Sequence, residues 1–112
     1  MHDVVEVDTK GRVVVSYTNQ LQSTTQHKFN VPRRLSVDKN NEFILVADTW
    51  NNRIVILNRS LNCCARELNV MLVDGGLHWP NCLHFDTSQN RLFVGEGKLF
   101  GQHRVLIFDN VI

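Results

Sequence analysis

The sequence predicts an all-β protein, a partial β-propeller of about two and a half four-stranded antiparallel blades. Three observations lead there. Apolar residues fall in short alternating or β-branched runs and not at helical spacing. Polar turns rich in Asn, Asp and Gly separate those runs. The pattern that begins at Pro32 begins again at Pro80, and a repeat of four short strands at this period is the signature of propeller blades.

Taken in order, Val4, Val5 and Val7 precede Asp8-Thr9-Lys10-Gly11, and Val13, Val14, Val15 and Tyr17 follow it, which reads as a hairpin. Residues 18–28 are polar and without period, an exposed loop. Pro32 opens a strand through Leu35-Ser36-Val37-Asp38, and Lys39-Asn40-Asn41-Glu42 turns the chain. Phe43-Ile44-Leu45-Val46-Ala47 is apolar throughout, as a strand covered on both faces must be. Asp48-Thr49-Trp50-Asn51-Asn52 is the next turn, and Arg53-Ile54-Val55-Ile56-Leu57 the next strand. Residues 65–73 give a fourth strand, with a helix as rival because Ala65-Arg66-Glu67-Leu68 has helical propensity.

The second copy then runs in parallel. Pro80-Asn81-Cys82-Leu83-His84-Phe85-Asp86 echoes Pro32-Arg33-Arg34-Leu35-Ser36-Val37-Asp38. Asn90-Arg91-Leu92-Phe93-Val94-Gly95-Glu96 echoes the strand ending in Asp48, and Arg104-Val105-Leu106-Ile107-Phe108-Asp109 the one beginning at Arg53. The offset is 48 in the first two strands and 51 in the third, because residues 96–103 carry a three-residue insertion. The expected organisation is the outer two strands of a preceding blade in residues 1–22, a complete blade in 29–75, and the first three strands of another in 76–112.

The repeat Phe29-x-x-Pro32-Arg33-x-Leu35-x-Val37-Asp38, followed by Leu45-Val46-Ala47-Asp48-Thr49-x-Asn51-x-Arg53-Ile54, resembles the NHL repeat. The second copy keeps Trp79-Pro80, Asp86, Leu92-Phe93-Val94, Glu96 and Arg104-Val105, but has Gly95-Glu96-Gly97 where the pattern has Ala-Asp-Thr. The resemblance covers residues 29–110 and implies a propeller, commonly six-bladed. NHL propellers occur in TRIM-NHL ubiquitin ligases, in RNA-binding and scaffold proteins, and in peptidyl-amidating lyases. The resemblance implies the fold more firmly than any of these activities.

Blades cover their apolar faces against one another, and two and a half cannot close a ring. The expectation is therefore a piece of a longer chain, TRIM-NHL-like, or an oligomer that supplies the remaining blades. A chain that stops at Val111-Ile112, just after a third strand, fits that expectation.

The chain has 112 residues and a formal net charge of +1, which gives no global field to attract nucleic acid. No apolar run reaches the roughly 18 residues of a membrane span, and no secretory signal opens the sequence. Cys63, Cys64 and Cys82 are odd in number and lack zinc spacing, so free thiols in a reducing, cytoplasmic setting are expected. The sequon Asn58-Arg59-Ser60 would matter only in a secreted protein.

No catalytic, cofactor or metal site is expected. Asp38 and Asp86 end equivalent strands of adjacent blades, so turn capping is favoured over acid–base work. Asp48 and Glu96 end the next strands and are expected to hold the following turn and to pair with Arg53 and Arg104. His2, His27, His78, His84 and His103 form no ligand motif, and Ser36, Ser60 and Ser88 sit in no nucleophile elbow. The candidate partner-binding face gathers Arg33, Arg34, Trp50, Asn52, His78, Trp79, Lys98, Phe100 and His103 in loops that share one end of a propeller. Aromatic and basic side chains together can anchor a protein or stack RNA bases. For the tryptophans, packing between blades is the competing role. The expected function is a non-catalytic protein-interaction platform within a larger scaffold or ubiquitin-ligase-type protein. An RNA-binding surface and a segment of a metal-dependent propeller lyase or hydrolase are the alternatives.

Overall fold

The computed structural model describes residues 4–16, 29–59, 61, 64–68, 77–97 and 103–112. It is a partial β-propeller made of three antiparallel sheets in sequence order. Strands β1 (Val5–Val7) and β2 (Val13–Ser16) form a hairpin. Strands β3 (Pro32–Asp38), β4 (Phe43–Asp48), β5 (Arg53–Asn58) and β6 (Cys64–Leu68) form a four-stranded meander. Strands β7 (Pro80–Asp86), β8 (Arg91–Gly97) and β9 (His103–Asp109) form a three-stranded one. The described turns, between β1 and β2, β3 and β4, β4 and β5, and β7 and β8, are tight reversals that fit their residues. Asp8 closes the first turn, accepting from the backbone N–H groups of Lys10 (2.9 Å) and Arg12 (3.0 Å), with Gly11 at φ 81°. Residues 64–68 are strand and not helix; residues 69–73 of that segment lie outside the described residues, as does the loop 18–28.

The continuous apolar runs of β4 and β5 are explained by burial on both faces. Leu45 pairs with Ile56 and Ala47 with Ile54 on one face. These four pack with Phe85, Leu92 and Val94 of the following sheet and with Leu77 and Val111 that flank it. The alternate residues Val46, Val55 and Leu57 face the other way, against Val4, Phe29 and Leu61. Alternation places one set of side chains against each neighbour, so a middle sheet must be apolar at every position. Among the described residues no helix is long and apolar enough to cross a membrane.

Candidate functional site

The site is built at the end of the sheets where β3, β7 and β9 start and where β4 and β8 finish. At that end Asp48 pairs with Pro32 on one side and with Arg53 on the other. Glu96 pairs in the same way with Pro80 and Arg104. Each acid is a clip. The buried Asp48 carboxylate accepts from the Asn30 backbone N–H (2.8 Å), the Asn51 amide (2.8 Å) and Arg53 Nε (2.7 Å). Glu96 accepts from the His78 backbone N–H (2.8 Å) and from Arg104 Nε. Both clips therefore seize the residue two before the strand's proline. The residue between, Val31 or Trp79, sits at φ 52° or 50°. That left-handed backbone is costly for a β-branched valine, and it persists because the buried carboxylate fixes the peptide before it.

A second layer of contacts joins the two sheets. The Thr49 hydroxyl, buried in the 3₁₀ turn Thr49–Asn51, donates to the Pro80 carbonyl at 2.7 Å. Asn52, at φ 53°, accepts the Trp79 backbone N–H on Oδ1 at 2.8 Å. The indoles of Trp50 and Trp79 stack with centroids 6.2 Å apart and planes at 22°. Nearer the middle of the inner strands, the Phe85 backbone N–H donates to Ser36 Oγ at 3.0 Å.

Both inner strands carry a β-bulge at the same place. The ladder slips between Pro32 and Arg34, leaving Arg33 as the extra residue, and between Pro80 and Cys82, leaving Asn81 as the extra residue. A bulge re-aims side chains locally. Here Arg33, Arg34, Asn81 and Cys82 line one cleft of about 560 Å³ between adjacent inner strands.

Of the predicted face, Arg33, Arg34, Trp50, Asn52, His78, Trp79 and His103 lie at this one end, while Lys98 and Phe100 lie outside the described residues. The structure divides them by role. Asn52 and Trp79 are committed to the junction between sheets. Arg33, Arg34, Trp50, His78 and His103 present exposed side chains. Asn81 and Cys82 were not placed on that face from the sequence, although their offset of 48 from Arg33 and Arg34 was the available signal. At the opposite end, Asp38 accepts from the Asn40 backbone N–H and the Asn41 amide, and Asp86 from Ser88 and Gln89. The Ser88 hydroxyl, followed by those backbone N–H groups, holds the Asp86 carboxyl below its ordinary range. Among the described residues no three metal-ligating side chains converge.

In comparison with known families, the NHL repeat model matches residues 29–57, the stretch from Phe29 through β3, β4 and the 3₁₀ turn to Leu57. No curated protein matches the chain.

Proposed function

We propose that this chain is a non-catalytic interaction platform that binds a protein partner at the rim carrying Arg33, Arg34 and Trp50, as part of a larger scaffold or ubiquitin-ligase-type protein. The observation that carries the reading is the division of labour at that rim. The acids Asp48 and Glu96 are both consumed in clips that shape the loops. The cations Arg33 and Arg34 and the half-exposed Trp50 are left facing solvent beside them. Acids spent on scaffold bonds, with arginine and tryptophan presented outward, suit recognition: these are the side chains that dominate binding hot spots. The match to NHL repeats, which form propellers widely used for interaction, supports the same reading. Its setting is a reducing compartment, where the exposed thiol of Cys82 persists.

The test compares the wild-type protein with Trp50→Ala and with Trp50→Ala/Arg34→Ala as bait, reading captured proteins by quantitative mass spectrometry with and without nuclease. Partners that are lost with the double variant and insensitive to nuclease are the expected result. Capture unchanged by both variants, at unchanged circular dichroism, overturns the assignment of this face.

A further inference from the structure

We propose that the cleft between the two bulged inner strands holds an acidic side chain of an extended peptide, so that the platform's partner presents an Asp- or Glu-bearing segment. The inference rests on the platform reading and gives its partner a chemistry. Two guanidinium groups, Arg33 and Arg34, lie on consecutive residues at the β3 bulge, and both line the cleft. Among the described residues no carboxylate pairs with either of them, whereas Arg12, Arg53, Arg59, Arg91 and Arg104 each have one. The carboxylates nearest in the ladder, Asp48 and Glu96, are engaged by their clips, each with an arginine of its own. The cleft therefore concentrates unneutralised positive charge in a chain whose net charge is only +1.

Guanidinium forks match a carboxylate in bidentate geometry, and such charge-assisted bonds are about twice as strong as neutral ones. The far wall is polar and uncharged. Asn81 donates through Nδ2 to the Gly97 carbonyl at 3.4 Å, which leaves its side-chain oxygen to accept a peptide N–H. Trp50 stands 51% exposed at the same end, an apolar anchor for a neighbouring residue of the peptide.

Nucleic acid fits less well. A phosphate backbone is held by a row of cations along its path, and here the two arginines without a carboxylate partner among the described residues form one focus. Base stacking needs open indole faces, and Trp50 and Trp79 already spend a face on each other.

The experiment uses the whole chain and a short fluorescein-labelled peptide of Glu and Leu, with its Gln twin and a single-stranded RNA as rivals, read by anisotropy. The acidic peptide should bind, and the Gln twin should bind roughly tenfold or more weakly. Arg33→Ala/Arg34→Ala should lose the peptide, and Arg33→Glu/Arg34→Glu should accept a Lys/Leu peptide in its place. Cys82, exposed in the cleft wall, reports position. Its alkylation by iodoacetamide, followed by peptide mapping, should slow only when the acidic peptide is present. Equal affinity for the Gln twin, an unprotected Cys82, or tighter binding of the RNA overturns the inference. The platform reading fails separately. If the captured partner depends on Trp50 but not on Arg33 and Arg34, the platform stands and the cleft assignment falls.

Discussion

Asp48 shows how one side chain can organise a loop end. It is fully buried, and its charged partner Arg53 is itself buried. Breaking such a pair from one side strands the other charge, a loss of about 3–5 kcal/mol. Asp48→Ala is therefore expected to lower the unfolding free energy obtained from urea curves by that order and also to release Asn30 and the left-handed Val31. In the second clip Arg104 is 39% exposed at its side chain, so water screens the stranded charge and Glu96→Ala should cost clearly less. Equal losses in paired denaturation curves would show that burial does not set the difference. The turn acids act through pH. Hydrogen bonds from Ser88, and at the first turn chiefly from the Arg12 backbone N–H, lower the carboxyls of Asp86 and Asp8 below 3.8. A depressed folded value means the contribution is complete above the unfolded pKa and disappears as pH falls through the folded one. Stability should thus decline on acidification from about pH 4 downward. Ser88→Ala should move the Asp86 titration, followed by carboxyl NMR shifts, upward toward its ordinary position. An unmoved titration would remove the hydroxyl as the principal cause.

At the scale of elements, the inter-sheet contacts at the rim make a separate prediction. Thr49→Val keeps shape and burial but leaves the Pro80 carbonyl without the hydroxyl that now meets it at 2.7 Å. The cost should be about 1–3 kcal/mol. Because Thr49 precedes Trp50, the near-ultraviolet circular dichroism of the stacked indoles should weaken as well. Retention of both stability and signal would mean that the sheets are held by their apolar faces alone. The strands were legible in the sequence because burial on alternate faces writes itself as runs such as Ile44 to Ala47 and Ile54 to Leu57. The pairing of Asp48 with Arg53 was legible because the two bracket a short turn. The grip on Asn30 and His78 was not, since it joins residues 18 apart through backbone N–H groups that any residue type supplies. The bulges were equally silent. Pro-Arg-Arg and Pro-Asn-Cys share no side-chain chemistry, and only the ladder register shows the extra residue. The cleft they create was thus seen from one wall only, through its arginines.

At the scale of the whole molecule, the internal junction states what a covered sheet face looks like, and two faces lack that cover among the described residues. Phe85 is 5% exposed in the junction, but its repeat equivalent Val37 is 46% exposed, and Leu35 beside it 57%. Ile54 and Ile56 are buried there, while their equivalents Val105 and Ile107 are 68% and 56% exposed. On the first face, an open groove of about 470 Å³ runs among Val4, Val5, Leu35, Val37, Ile44 and Leu61. Exposed apolar faces at both ends of a row of sheets favour head-to-tail association, which extends until a ring closes or the material aggregates. The isolated chain is therefore expected to scatter light increasingly with concentration. Val105→Lys/Ile107→Lys should suppress that scattering without loss of β-sheet dichroism, because neither residue supports the core. Ile54→Lys/Ile56→Lys, at equivalent positions inside the junction, should unfold the protein instead. A monodisperse wild-type monomer, or a β9 double lysine variant that unfolds, would show that the β9 face does not need a neighbouring sheet in the way the buried junction does.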